Sequence, residues 1–330
     1  MLLAAIVAMR AWRDWRRRRI EQREGAWQRA LLEAMADPAA GALAPIASLD
    51  FPEFLLLWNR LRAEQQGARA DNMAQLLRRH GLADRALGLL RHRSLRRRLI
   101  AMTAVGLLRD ERAWATLEAM AAQRSPVVSF AAARALMRIE PRRALDALAQ
   151  AIVQRDDWSI ARLGCIFAEL GPQLVTPTLT TMLVSRPRAG LERVVKLAKF
   201  GDRGRIAPIV RGWLSASAHP DIIMAALDYV DDERELPWAR DAASHAEWRV
   251  RMAAARALGR IGSASELATL LELLRDPVWW VRYHAAQALT RLHGMTPEEP
   301  QLIRENARDH FASDMLAHAL AMMPIRRVKL

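Results

Sequence analysis

The chain has 330 residues, is 52% hydrophobic and carries a net charge of +14, with only two tyrosines and six phenylalanines. A composition dominated by Ala, Leu and Arg, with few β-branched runs, favours helix and argues against a sheet-based fold. A single cysteine, Cys165, excludes an internal disulfide and a thiolate metal cluster, and suits a reducing, intracellular compartment.

The chain opens with "MLLAAIVAMRAWRDWRRRR". Met1–Met9 is apolar, but nine helical residues rise only about 14 Å against a hydrocarbon core of about 30 Å, so the segment does not span a bilayer as written. The positive charge follows the apolar run, the reverse of a secretory signal. It matches the cytoplasmic exit of a membrane helix, with Trp12 and Trp15 at headgroup level and Arg16, Arg17, Arg18 and Arg19 beyond them. Two membrane readings stand open: an interfacial amphipathic anchor, or the last half of a spanning helix that begins upstream. The plain alternative is a basic helix that touches nothing. Residues 1–24 are therefore expected to be a membrane-proximal segment holding the chain at the cytoplasmic side of the inner membrane.

Residues 25–93 are expected to form an irregular helical cap, with helices at 26–36, 51–66, 72–80 and 83–92. Gly67 and Gly81 punctuate them, and Ser48 or Asp50 is the expected N-cap of the second. Arg78 to Arg98 holds eight arginines against Asp84 alone, a local +7. Arg91, Arg93, Arg96 and Arg97 join Trp12, Trp15 and Arg16 to Arg19 as candidates for an anionic surface, lipid headgroups above all.

Internal repeats follow over 94–295. "EWRVRMAAARALGRIG" (Glu247–Gly262) lies over "VWWVRYHAAQALTRLH" (Val278–His293) at an offset of 31, pairing Val250 with Val281, Arg251 with Arg282, Ala254 with Ala285, Leu258 with Leu289 and Ile261 with Leu292. "PVVSFAAARALMRI" (Pro126–Ile139) fits the same frame. Weaker copies begin at Ser94, Trp158, Leu191 and Pro220, each followed by a second apolar-periodic segment. About seven helix pairs result, with Gly106, Gly171, Gly201, Gly262 and Gly294 as breakers. Residues 296–330 form a C-terminal helical cap, which "TPEE" (Thr296–Glu299) opens as a capping box.

These repeats resemble the HEAT-repeat family, specifically the short bacterial repeats first described in phycobilisome lyases. The Asp-Pro, Trp, Val-Arg, Ala-Ala and Ala-Leu elements of 247–262 and 276–293 carry the likeness. The resemblance implies an all-α α-solenoid, a right-handed superhelix of about seven helix pairs with irregular caps, whose second helices line the concave side. The physics agrees: a helix pair with one apolar stripe cannot bury it alone, so neighbours stack in one dimension.

No His-Glu-x-x-His, Walker loop or Gly-x-Ser-x-Gly elbow is present, so no catalytic residue, metal site, cofactor or small-molecule substrate is predicted. Trp279 aligns with Trp248, and Trp158 falls at or next to the same slot, which assigns all three to packing between repeats. Trp280 aligns with Arg249 and has no copies; it either packs on the C-terminal cap or anchors a partner. Arg251 and Arg282 are expected to pair with loop acids such as Asp276. A broken basic row of Arg134, Arg138, Lys196, Arg256, Arg260, Gln287 and Arg291, with Trp280 and His284, forms the candidate concave partner-binding face. The expected function is a non-catalytic scaffold that docks an acidic or amphipathic segment of a protein partner. The alternative is nucleic-acid binding, or a HEAT-like alkylpurine DNA glycosylase built on Trp158 with Asp157 and Trp238 with Asp241.

Overall fold

The structure, a computed structural model, describes residues 2–37, 39–185, 190–213, 219–296, 298–305 and 310–322. Among these the chain is helical, with one isolated bridge between Ser263 and His293. Helix pairs stack on their neighbours, so the fold is an all-α solenoid. It divides into two units, 1–159 and 160–330.

The first unit begins with α1 (Leu2–Ala36). It continues with α2 (Phe51–Ala63), α3 (Gly67–Arg79), α4 (Leu82–Leu89), α5 (Leu95–Leu108), α6 (Trp114–Ala121), α7 (Pro126–Ile139) and α8 (Pro141–Gln154). Helix α1 starts far ahead of the expected residue 26. A Cβ added at Gly25 would meet nothing within 4 Å, and a single exposed glycine costs a helix only about 1 kcal/mol, too little to break a run of Arg, Glu, Gln and Ala. Asp50 occupies the N-cap position of α2 but makes no side-chain cap bond. Its buried carboxylate instead accepts from Arg23 at 2.7 Å and lies 3.5 Å from Arg19, tying α1 to α2. Gly106 does not end a helix as the sequence suggested; it lies inside α5. An added Cβ there would stand 2.9 Å from Ala135 Cα, so the glycine lets α5 and α7 touch backbone to backbone.

The second unit holds α9 (Ile160–Leu170), α10 (Pro172–Ser185), α11 (Leu191–Ala198), α12 (Arg203–Arg211), α13 (Pro220–Asp228) and α14 (Leu236–Ala243). It ends with α15 (Trp248–Ile261), α16 (Leu267–Leu273), α17 (Trp279–Leu289), α18 (Glu299–Glu305) and α19 (His310–Ala321). Helices α9, α11, α13, α15 and α17 pack one against the next as a layer, and α19 packs on α17. The repeat frame holds in three dimensions: Val250 and Val281, Ala254 and Ala285, and Leu258 and Leu289 are all fully buried. Gly259 reproduces the Gly106 device, since a Cβ there would meet Ala288 Cβ at 2.4 Å and Cα at 2.5 Å. The capping box before α18 forms its side-chain bond, Thr296 N donating to Glu299 Oε2 at 2.6 Å.

Two charged pairs cross-link successive repeats. Arg251 grips Asp276 through two bonds of 2.6 and 3.0 Å, while Asp276 Oδ1 also accepts from Val278 N at 2.8 Å and shapes the turn into α17. Arg240 grips the buried Glu266 at 2.8 and 2.5 Å. That hydrogen bond holds the Glu266 carboxyl below the usual carboxylate range, against the opposing pull of burial.

Two outcomes test this packing. Gly259→Val should lower unfolding stability by about 1–3 kcal/mol in denaturant melts, as overpacked cores do. Gly88→Ala, where α4 leaves open space, should be neutral or raise it by about 0.5–1 kcal/mol. Because the native Glu266 pKa is depressed from 4.5, its contribution is full above that value and lost as pH falls through the lowered one. Glu266→Gln should therefore flatten the acid limb of stability against pH.

Candidate partner-binding groove

The apolar stripe of α17 (Val281, Ala285, Ala288, Leu289) faces the core. The complementary stripe is Trp280, His284 and Gln287, with Arg291 four residues further in the turn that follows the helix. The same phase on α15 holds Arg249, the buried Ala253, Arg256 and Arg260. Between the two helices lies an open depression of about 470 Å³, lined by Arg256, Gly259, Arg260, His284, Gln287, Ala288 and Arg291. Its floor exists because Gly259 and Ala288 have almost no side chain. A second depression of about 500 Å³ continues towards α11 and shares Arg256 with the first; Lys196, Lys199, Asp221, Asp228 and Tyr229 are among its walls.

The charges in this groove are not equivalent. Arg260 donates to Leu227 O at 2.7 Å and Val230 O at 2.9 Å, satisfying carbonyls at the C-terminal end of α13. Desolvation there lowers its pKa. Arg256 faces Asp228 at 3.0 Å, and Lys196 pairs with Glu192. Arg291 is exposed. His284 is pushed below its usual value of 6.5, first by desolvation, then by the positive charges of Arg256 and Arg291. At neutral pH it is an uncharged imidazole between two guanidinium groups.

An aromatic cluster lies on α17 beside His284, whose ring meets Tyr283 at 5.2 Å. Tyr283 stacks on Trp279 at 5.1 Å and 11° between planes. Trp280 meets Trp279 edge-on at 4.8 Å and Tyr283 at 6.2 Å. Tyr283 is held further by Gln287 Nε2, which donates to its hydroxyl at 2.8 Å, and by the His318 ring 5.8 Å away on α19. Trp279 and Trp280 nevertheless remain 42% and 51% exposed. This corrects the assignment of Trp279 to packing between repeats. Trp158 fits that role, fully buried with its Nε1 donating to Ser129 Oγ at 3.0 Å. Trp248 is half-buried against the core, whereas the slot of Trp279 has no further repeat over it.

The structure thus gathers Arg256, Arg260, His284, Gln287 and Arg291 around one depression, with Trp280 in line and Lys196 in the next. Arg134 and Arg138 belong to α7 of the first unit. Arg251 pairs with Asp276 as expected, but among the described residues Arg282 pairs with no acid. Its Nη1 donates to Asp276 O and Pro277 O, the positional equivalents of the His245 O and Ala246 O that Arg251 also binds. Lys199, Asp228 and the exposed face of Trp279 join the candidate face only in the structure. The spacing of Lys199 from Lys196 was the available signal for the first, and no sequence signal pairs Asp228 with Arg256.

Of the N-terminal candidates, Trp12, Arg16 and Arg17 lie on α1 with side chains outside the described residues. Trp15 is 52% exposed, with the Arg19 guanidinium 5.2 Å from its ring centre, and Arg18 is exposed. Arg19 and Arg96 are engaged within the chain, by Asp50 and by a two-bond pair with Glu53. Arg97 contacts His92 Nε2 at 2.9 Å, and Arg91 and Arg93 are exposed. No described helix is long and apolar enough to cross a membrane.

With this geometry in place, residues 218–290 match the family model for HEAT repeats, the stretch that builds α13 to α17. This stretch carries HEAT repeats. Two solved structures are similar to it over most of their length. One is a crystal structure of an engineered protein, at 14% identity over 91% of this chain and 94% of that one, with a TM-score of 0.37. The other is an X-ray structure of the YibA protein of Escherichia coli, at 13% identity over 86% and 100%, with a TM-score of 0.32. No curated protein matches the chain.

The histidine reports on the groove directly. By NMR, His284 should titrate below 6.5, and Arg256→Gln or Arg291→Gln should move its midpoint upward.

Proposed function

We propose that this HEAT-repeat protein is a non-catalytic scaffold that docks an acidic segment of a protein partner on the layer formed by α11, α13, α15 and α17. The observation that supports this reading most is the single depression between α15 and α17. It gathers three arginine side chains, a histidine and a glutamine, and the exposed aromatic cluster lies next to that histidine on α17. Solenoids bind through extended surface of this kind rather than through an enclosed pocket. Charge on the rim of such a groove steers an acidic partner and selects against basic ones. The alternation of Arg256 with Asp228 and of Arg249 with Asp221 favours a chain with sparse acids over a continuous phosphate backbone. Against the glycosylase alternative, Trp158 is fully buried and offers no face to a base.

The second part of the proposal concerns α1. Its exposed Trp15 and Arg18, near the Trp12 and Arg16–Arg17 positions, suit an anionic membrane surface on the cytoplasmic side, since each basic residue near such a surface contributes about 1 kcal/mol.

Two experiments test these statements. The double variant Arg256→Glu/Arg291→Glu should weaken capture of acidic peptides by the full chain at least tenfold while its melting curve stays that of the wild type; unchanged capture contradicts the docking face. Flotation with vesicles containing anionic lipid should be lost when residues 1–19 are removed; equal flotation of the shortened chain contradicts the membrane role of α1.

A further inference from the structure

Resting on the proposed docking face, we infer that the α15–α17 groove recognises a short extended peptide with two features at fixed spacing: one large apolar side chain, seated on Trp280, and acidic side chains reaching Arg256 and Arg291. The aromatic end is a prepared surface. Tyr283 is fixed on one side by stacking with Trp279 and on another by the Gln287 hydrogen bond, so the exposed Trp280 ring rests on a supported base instead of moving freely. Exposed, rigid tryptophans of this kind concentrate binding energy because little side-chain entropy is lost on contact.

Spacing follows from the helix. The nine steps from Trp280 to the end of α17 at Leu289 rise roughly 14 Å, with Arg291 in the turn just beyond, and Gln287, opposite Arg256, lies roughly 10 Å from Trp280. An extended peptide advances about 3.3 Å per residue. The acids that meet Arg256 and Arg291 therefore stand about three and about five residues from the apolar anchor. Between them the neutral His284 and the small Gly259 and Ala288 ask only for a slim, uncharged stretch. Charge complementarity selects the occupant: the chain carries +14, so a second copy is repelled, whereas an acidic peptide is drawn in.

The test uses the full chain and fluorescently labelled twelve-residue peptides measured by anisotropy. One carries a tryptophan with glutamates three and five residues away. Others lack the tryptophan, lack the glutamates, or hold the same residues at scrambled spacing. The spaced peptide should bind at least tenfold more tightly than any of the others. Trp280→Ala should abolish the advantage of the anchor, and Arg291→Glu that of the distal acid, while both variants melt like the wild type. If Trp280→Ala leaves affinity unchanged but the arginine variants weaken it, the bipartite motif is overturned and the docking face stands. Insensitivity to all of these variants, or no binding by any peptide, overturns both. Tighter, Trp280-dependent binding of oligothymidylate overturns the peptide in favour of a nucleic acid.

Discussion

The close approach of neighbouring helices at glycine is the constraint on which the rest depends. At Gly106 against Ala135 and at Gly259 against Ala288 there is no room for a Cβ, so α5 meets α7, and α15 meets α17, at backbone distance. That contact fixes how far one repeat steps from the next. It also keeps the floor between α15 and α17 shallow and small, and so leaves the longer side chains on either side standing as walls. The groove is a by-product of the packing that holds the array together.

Arginine does two kinds of work in this chain, and composition alone does not separate them. Arg260 binds carbonyls at the end of α13, Arg282 binds those of its own preceding turn, and Arg251 adds a carboxylate to the same pattern. These are the fasteners between turns and helices. Arg256 and Arg291 share the face of Arg260, but one is opposed by a single exposed aspartate and the other points to solvent. Among these three, Arg256 and Arg291 are the guanidinium groups not fastened to backbone carbonyls.

The repeat frame was legible in the sequence because burial of an apolar stripe enforces its own spacing. Val250, Ala254 and Leu258 predicted Val281, Ala285 and Leu289, and all six are buried. Much of the candidate face was legible for the same reason, since residues a helical phase away from that stripe must face outward. What stayed hidden depends on neighbours that spacing does not encode. The slot of Trp158 and Trp248 repeats at Trp279, but a slot is covered only if another repeat follows, and here the covering is incomplete. Gly106 read as a breaker, since glycine ends helices as readily as it permits close contact, and only the position of Ala135 distinguishes the two. The length of α1 was missed at Gly25, where one unfavourable residue is outweighed by the helix formers around it.

A photo-reactive amino acid placed at Gln287, at the centre of the groove, gives the most direct test of the central claim in the organism that makes this protein. The cross-linked segment, read by mass spectrometry, should be acidic and carry a large apolar residue, and a matching probe at Glu272 on the opposite layer should not capture it. Capture of the same segment from both positions, or of basic segments or nucleic acid at Gln287, would contradict the account.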